Sequence, residues 1–148
     1  MGEVIWTSAS STHGLTVTVN LAGNRNISVT IIPPASTPGP APGASSSSYF
    51  WEGNRLYDLG LYAEAIAQYN IYISLVPLEP AAYNNRGAAY AMLGQYWQAI
   101  LDYGQAIQLD PGDAMAYNNR GNAYSQLSLP LSAQSDWDMA CLLDTTYC

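Results

Sequence analysis

Two short stretches near the N-terminus alternate apolar and polar residues. They read GLTVTVNL and ISVTII, and AGNRN lies between them. A period of two, rich in β-branched residues, predicts β-strands, and the polar stretch between them predicts a hairpin turn. The stretch EVIWT predicts one more strand. We therefore expect a β-hairpin or a three-stranded β-arm over residues 1–32, with strands near 3–7, 15–21 and 27–32.

The rest of the chain follows a longer period, because one pattern recurs in three successive stretches. AYNNRGAAYAMLGQYWQAILDYGQAIQLDPGD begins at Ala82, and AYNNRGNAYSQLSLPLSAQSDWDMACLLDTT begins at Ala116. These two starting points are 34 residues apart, and 34 residues before Ala82 the stretch SYFWEGNRLYDLGLYAEAIAQYNIYISLVPLE begins at Ser48. A fixed period of this length indicates stacked helical repeats. We expect three repeats, at residues 46–79, 80–113 and 114–148.

Small and aromatic residues return to the same slots in each repeat. Small residues let two helices approach closely, and aromatic residues fill the space between them. The slots hold Tyr49, Tyr83 and Tyr117; Gly53, Gly87 and Gly121; Tyr57, Tyr90 and Tyr124; Ala65, Ala99 and Ala133; and Tyr69, Tyr103 and Trp137. In these slots, and in a period of about 34 residues, the chain resembles the tetratricopeptide repeat family. The resemblance implies a mainly α fold, a three-repeat helical hairpin solenoid with six helices over residues 49–148.

A stretch rich in proline and serine joins the two regions. PPASTPGPAPGASSSS, residues 33–48, predicts an extended, semi-rigid linker. Its hydroxyl residues suit O-linked glycosylation if the protein is exported, and an unmodified linker is an equal alternative. The candidate positions are Ser36, Thr37, Ser45, Ser46, Ser47 and Ser48.

Charged residues are few and mostly acidic. The 148 residues include eleven acids, four arginines and no lysine, for a formal net charge of −7. Nucleic-acid binding requires clustered basic residues, so this composition excludes a nucleic-acid-binding protein. No apolar run is long enough for a transmembrane helix, and we expect no signal peptide in this chain.

No group of residues indicates catalysis or metal binding. His13 is the only histidine and lies in the polar stretch SSTHG, where a solvated loop is expected. Nucleophile, phosphate-binding and metal-ligand motifs are absent from the sequence. We therefore expect a protein that is not an enzyme and has no cofactor and no metal.

One slot in the first helix of the second and third repeats holds arginine, and one slot in the second helix holds aspartate. In the first repeat these slots hold Glu52 and Gln68, so the two residue types change together. This predicts ion pairs that link the two helices of a repeat; the alternative is that the arginines bind an anionic ligand. The predicted pairs are Arg86 with Asp102 and Arg120 with Asp136.

The two cysteines, Cys141 and Cys148, lie close together near the C-terminus. Their spacing does not match a zinc or redox motif. Two alternatives remain: a disulfide between them, or a buried thiol together with an unpaired thiol in the tail.

The last predicted helix is unusually apolar. Met139 and Leu142 occupy the slots that hold Gln105 and Gln108 in the second repeat. A helix that is apolar almost all round is expected to be buried, and terminal repeats normally have a polar outer face. We therefore predict a subunit interface that combines this helix with the apolar side of the β-arm: Leu131, Trp137, Met139, Cys141 and Leu142 with Leu15, Val17, Val19, Ile27, Val29 and Ile31.

These features favour a structural protein that assembles with copies of itself. Head-to-tail contacts that do not close generate filaments, and exchange of a β-strand would link neighbouring subunits. The architecture resembles that of extracellular fibre subunits built from this repeat. We therefore expect a homopolymer outside the cell or at its surface; the alternative location is the cytoplasm.

The main alternative is a monomeric adaptor that binds peptide segments. The resemblance implies a binding groove lined by the first helix of each repeat, and polar amides there suit an extended backbone. Relatives that clamp a peptide's terminal carboxylate use lysine and arginine in some of these slots; this chain has none there, which disfavours that chaperone-adaptor role. The asparagines also fit the plain polar side of a repeat. The candidate groove residues are Trp51, Asn54, Asn84, Asn85, Asn118, Asn119 and Asn122.

Overall fold

The computed structural model describes the backbone of residues 15–21 and 25–31 and all atoms of residues 45–148. Strands β1 (Leu15–Leu21) and β2 (Arg25–Ile31) pair antiparallel, from Leu15 with Ile31 to Leu21 with Arg25. The pairing starts β2 two residues before the expected position. The expected strand at 3–7 and most of the linker lie outside the described residues, as do the side chains of the strands.

Six helices make up residues 46–143, and the prediction of six helices is confirmed. Each repeat contributes two helices in contact, and the second helices of the first two repeats also contact the first helix of the next repeat. The helices are α1 (Ser46–Asp58), α2 (Tyr62–Leu75), α3 (Pro80–Met92), α4 (Tyr96–Leu109), α5 (Ala114–Gln126) and α6 (Pro130–Leu143), followed by a 3-10 turn at Thr145–Tyr147.

The turn inside each repeat has the same backbone geometry. Gly60 and Gly94 follow α1 and α3 with φ of 75° and 73°, a left-handed conformation in which glycine has no steric cost. Ser128 holds the same slot after α5 with φ of 58°. Pro130 then lies in the first turn of α6, where its missing N–H costs no helical hydrogen bond. The irregular third repeat therefore keeps the regular turn.

The serine run expected in the linker belongs partly to the first helix. Ser46, Ser47 and Ser48 lie in the first turn of α1, and Ser45 precedes it in an extended conformation. The Ser48 hydroxyl donates to the Ser45 carbonyl oxygen at 2.6 Å. Serine is favoured at helix starts because its short side chain bonds to nearby backbone groups. Helix α1 therefore begins at residue 46, inside the stretch predicted as linker.

The core of each repeat is an aromatic ring packed on a glycine. The Tyr69 ring lies over Gly53 and the Tyr103 ring over Gly87, so closely that an added Cβ would lie 2.6 Å and 2.9 Å from a ring carbon. Trp137 lies in the same way over Gly121. The recurring glycine is therefore the contact surface between the two helices of a repeat.

One aromatic assignment from the sequence is wrong. Tyr57 lies one residue short of a full repeat before Tyr90, so Leu56 is the residue in the slot of Tyr90 and Tyr124. Leu56 is buried in a cluster with Ala65 and Tyr69, as that slot requires. Tyr57, one residue further round the helix, is half-buried and packs against this cluster.

The face of α1 at the start of the array is polar. In α3 and α5 the corresponding face carries alanines that are almost completely buried: Ala82, Ala89, Ala116 and Ala123. In α1 the same slots hold Ser48 and Arg55, and both are exposed. Arg55 also forms an ion pair with Glu52 on the same helix. This face therefore lacks the small apolar residues that pack against a preceding repeat.

The face of α6 that corresponds to a stacking surface is also polar. Ile66 of α2 and Ile100 of α4 are buried, and Ile100 belongs to a cluster with Ala123 of the following repeat. In α6 this slot holds Gln134, which is exposed and donates a hydrogen bond to Asp138 at 2.8 Å. A further repeat would bury this amide and carboxylate, which is unfavourable without new partners.

The C-terminal tail occupies the rest of that face. Ile107 of α4 packs against Ala116 of the next repeat. Its counterpart in α6 is Cys141, which is joined to Cys148 by a disulfide that brings their Cα atoms within 4.7 Å. The 3-10 turn thereby folds back onto α6. Within residues 45–148 the array therefore has a polar start and a clasped, polar end.

The residues of α6 in the predicted interface do not share a stacking face. Met139 and Leu142 are roughly 160° and 100° around the helix from Cys141, at 100° per residue. Leu142 and Leu131 point outward, with 77% and 88% of their surface exposed. Trp137 packs inward on Gly121 and is half-buried. This geometry does not favour the predicted interface. The prediction rested on the apolar content of the helix, and apolar content does not specify the side of the helix on which each residue lies.

Candidate functional site

A groove runs along the first helices of the three repeats. Its larger cavity has a volume of about 450 Å³, and a neighbouring cavity of about 320 Å³ shares Tyr57, Ala88 and Asn119 with it. The larger cavity is lined by Asn54, Tyr57, Asp58, Tyr69, Asn84, Asn85, Ala88, Met115 and Asn119. The smaller cavity adds Ala91, Met92, Tyr96, Tyr103, Asn122, Ala123 and Gln126.

Asparagine side chains connect the first helices across the groove. Asn54 Oδ1 accepts hydrogen bonds from the Tyr69 hydroxyl at 2.7 Å and from Asn85 Nδ2 at 3.0 Å. Asn119 Nδ2 donates to Asn84 Oδ1 at 3.1 Å. These bonds join the first repeat to the second and the second to the third. They fix the orientation of the amides that line the groove.

The predicted groove residues differ in how accessible they are. Asn84 is only 6% exposed and also donates from Nδ2 toward the sulfur of Met115. It therefore belongs to the network of hydrogen-bonded asparagine side chains that supports the groove, which we call the frame. Asn85 and Asn119 are half-buried and line the larger cavity. Asn122 lines the smaller cavity and accepts a hydrogen bond from the indole N–H of Trp137.

The two remaining predicted residues line neither groove cavity. Trp51 is 67% exposed and does not line either cavity, but it shares one side of α1 with Asn54 and Asp58, three and seven residues later. Asn118 lies with Asn122 around a separate cavity of about 460 Å³, beside the C-terminal disulfide.

The groove contains residues that the sequence interpretation did not single out. The sequence pattern predicts Tyr57 among the core aromatics, although it is offset by one residue from the slot of Tyr90 and Tyr124, and it does not predict Met115 in the groove. Counting back one full repeat from Tyr90 leads to Leu56, so the sequence itself shows that Tyr57 does not occupy the core slot. Met115 gives no such signal, because its place beside Asn84 depends on how the second and third repeats stack.

Burial raises the pKa of two tyrosines that line the larger cavity, Tyr57 and Tyr69. Burial, and then the negative charge of Asp58, raise the pKa of Tyr69 well above its ordinary value. Burial, with nearby Tyr62 and Asp58, also raises the pKa of Tyr57. Both hydroxyls therefore remain protonated and able to donate hydrogen bonds.

The arginines of the second and third repeats lie away from the groove and contact carboxylates. Arg86 donates two hydrogen bonds to Asp102, at 2.7 Å and 2.6 Å, and one to Asn70 of the preceding repeat at 2.7 Å. Burial opposes the positive charge of Arg86, but the bonds and charge of Asp102 outweigh it, so its pKa is raised.

Arg120 makes the same contacts with a carboxylate one repeat later. It donates two hydrogen bonds to Asp136, both at 2.7 Å, and these bonds raise the pKa of the guanidinium. The Arg120 guanidinium also lies 5.6 Å from the centre of the Tyr117 ring. With carboxylates already bound, neither Arg86 nor Arg120 offers a site for an anionic ligand, which disfavours that alternative.

Among residues 45–148 there is no cluster of side chains that would hold a metal ion. In the same part of the chain, the helices are too short or too polar to cross a membrane.

Comparison with known families identifies the repeats. A model described as tetratricopeptide repeat matches residues 80–113, a second with the same description matches 103–141, and a model described as TPR repeat matches 53–94. Among functionally curated proteins, no sequence matches the chain.

Solved structures of TPR domains are similar to this chain over about two thirds of its length. The second TPR of Spaghetti (RPAP3), bound to the HSP90 peptide SRMEEVD, is 30% identical over 67% of this chain and 92% of that one, with a TM-score of 0.65. The Arabidopsis OM64 TPR domain is 29% identical over 68% and 84%, with a TM-score of 0.67. The TPR2B domain of yeast Sti1, in a complex with pHsp70, is 28% identical over 68% and 81%, with a TM-score of 0.66.

Proposed function

Because this chain belongs to the tetratricopeptide repeat family, we propose that it is a non-catalytic adaptor whose groove binds an extended peptide segment of another protein. The observation that carries the proposal is the row of half-buried amides along α1, α3 and α5. Similar domains with a bound peptide or partner support it: the second TPR of Spaghetti with an HSP90 peptide, and yeast Sti1 with pHsp70.

The groove offers suitable chemistry for a peptide backbone. An asparagine side chain has two N–H donors and a carbonyl acceptor, so one bond within the frame leaves further hydrogen-bonding capacity. Asn85 and Asn119 line the larger cavity, and each donates one bond to another asparagine. An extended peptide presents N–H and C=O groups at regular intervals, and orienting the amides in advance lowers the entropy lost on binding.

A filament built by head-to-tail stacking requires an apolar surface at the end of the array. Gln134 and Asp138 occupy that surface, and the Cys141–Cys148 disulfide folds the tail over it. The subunit interface, exchange of the β-arm, attached glycans and an extracellular location stay predictions from the sequence.

Blocking the groove tests the adaptor proposal. The probe is a phage-displayed library of random twelve-residue peptides, selected on the full chain and then measured as synthetic peptides by fluorescence anisotropy. Ala88 lies in both cavities, so Ala88→Tyr should weaken the selected peptides at least about 10-fold. Ala63→Tyr places the same side chain on the exposed side of α2 and should leave affinity unchanged.

Circular dichroism establishes that both variants are folded. A library that yields no peptide, or peptides that bind Ala88→Tyr as well as the parent chain, would contradict the proposal.

A further inference from the structure

The groove has negative but no positive ionic groups. The arginines of residues 45–148 are Arg55, Arg86 and Arg120, and each is paired with a carboxylate. None of them lines either groove cavity. Asp58 does line the larger cavity, and none of the arginines of 45–148 forms an ion pair with it. A peptide in the groove therefore meets a carboxylate that forms no ion pair with an arginine of residues 45–148.

Aromatic groups accompany this carboxylate on α1. Trp51, Asn54 and Asp58 are spaced three and four residues apart, so they form one row along the helix. The Trp51 indole is largely exposed at one end of the row. Tyr57 lines the cavity beside Asp58. Cationic side chains are attracted both to aromatic faces and to carboxylates, so this row suits lysine or arginine.

The charge of the whole helical unit acts in the same direction. Residues 45–148 carry ten acidic side chains against three arginines. Such an imbalance attracts cationic ligands over a distance and repels anionic ones, most strongly at low salt. The asparagine frame, in contrast, makes bonds to a peptide backbone that do not depend on charge.

On the basis of the proposed function, we infer that the groove selects a basic internal peptide segment, which places lysine or arginine side chains along this row, beside Asp58 and Tyr57 or beside Trp51, and is bound without its terminal carboxylate. This ligand is opposite in charge to the acidic peptide SRMEEVD in the similar Spaghetti domains.

The test uses three pools of random twelve-residue peptides with amidated C-termini and a central Arg, Gln or Glu. Binding to the full chain is measured by anisotropy at about 50 mM and about 500 mM NaCl. The Arg pool should bind at least about 10-fold more tightly than the Glu pool, with a smaller difference at high salt. The same Arg pool with free carboxylates should bind within about 2-fold of the amidated pool, and SRMEEVD should bind more weakly than the Arg pool.

Asp58→Asn removes the charge and keeps the shape of the side chain. It should reduce the preference for the Arg pool over the Gln pool to within about 2-fold. Glu64→Gln is the matched control, because it removes an exposed carboxylate from α2. Trp51→Leu should weaken the Arg pool more than the Gln pool.

The outcomes separate this inference from the proposed function. If the three pools bind the parent chain equally well but do not bind Ala88→Tyr, the charge selection is overturned. The groove then remains a peptide site. Retention of the Arg preference in Asp58→Asn, or a need for the free carboxylate, would also overturn the inference. If the pools fail to bind, or bind Ala88→Tyr as well as the parent chain, the adaptor function itself is contradicted.

Discussion

At the scale of single residues, the fold depends on how closely a ring approaches a glycine. Tyr69 and Tyr103 are 1% and 2% exposed, so neither ring has space to move away from its glycine. Close packing of this kind makes even one added methyl group costly. The glycines of the first helices are therefore required by packing.

Gly87 and Gly104 provide a matched test of this requirement. A Cβ on Gly87 would lie 2.9 Å from the Tyr103 ring, whereas the nearest atom to a Cβ on Gly104 is Arg120 Nη1 at 3.8 Å. We expect Gly87→Ala to lower the free energy of unfolding by about 1–3 kcal/mol through overpacking. Gly104→Ala should raise it by about 0.5–1 kcal/mol through the better helix propensity of alanine.

Urea unfolding followed by circular dichroism measures both changes. Equal effects of the two substitutions would show that backbone propensity, and not the ring contact, determines the cost.

At the scale of the elements, polar contacts fix the orientation of neighbouring helices. Arg86 joins α3 to α4 through Asp102 and to α2 through Asn70, so a single side chain connects three helices. The first repeat lacks this link: Glu52 bonds instead to Arg55 within α1. We therefore expect the ion pairs to contribute more in the second and third repeats than in the first.

Removal of one partner tests the link between α5 and α6. The side chains of Arg120 and Asp136 are only 21% and 7% exposed, so Asp136→Ala leaves a mostly buried guanidinium without its carboxylate. We expect a loss of about 2–4 kcal/mol in the free energy of unfolding. Arg120→Met combined with Asp136→Leu should recover most of it, because no buried charge then remains unpaired.

The control is Glu52→Gln, which breaks an exposed pair and should have a much smaller effect. Unfolding in urea provides the values. A loss for Asp136→Ala no larger than that for Glu52→Gln would contradict a structural role for the buried pair.

At the scale of the whole molecule, the two ends of the array determine whether it can extend. Adjacent repeats meet through alanines on one side and isoleucines on the other, as Ala123 and Ile100 do. At the ends, Ser48 and Arg55 replace the alanines, and Gln134 replaces the isoleucine. Stacking of one array on another would bury polar groups without providing this apolar contact.

We therefore predict that the protein is a monomer at micromolar concentration. Sedimentation velocity across the micromolar range should give one species with the mass of a single chain. Met139→Gln with Leu142→Gln should not change that mass. Gln134→Ile with Asp138→Ala removes the exposed amide and carboxylate from this end of the array and should promote association. Fibres or stable oligomers of the parent chain, visible by electron microscopy, would contradict this prediction and favour the filament.

Much of the helical fold followed from the sequence, because repetition reveals constraints that one repeat alone would hide. Three occurrences of the same slot identified the glycine, the facing aromatic and the length of the repeat. The slots of Arg86 and Asp102 changed together in the first repeat, which indicated contact between residues on different helices. The groove could be predicted only as one side of the first helices. Separating Asn84 in the frame from the more accessible Asn85 required the stacked repeats.

The sequence by itself therefore determined the repeat, its helices and the family, since these depend on local periodicity. Tertiary structure decided which side of each helix meets a neighbour, because that depends on rotation about the helix axis and on how consecutive repeats stack. Met139 and Leu142 made α6 apolar in composition, yet Gln134, Asp138 and the disulfide of Cys141 occupy its stacking face. Polar residues on that one side oppose continuation of the array, however apolar the other sides are.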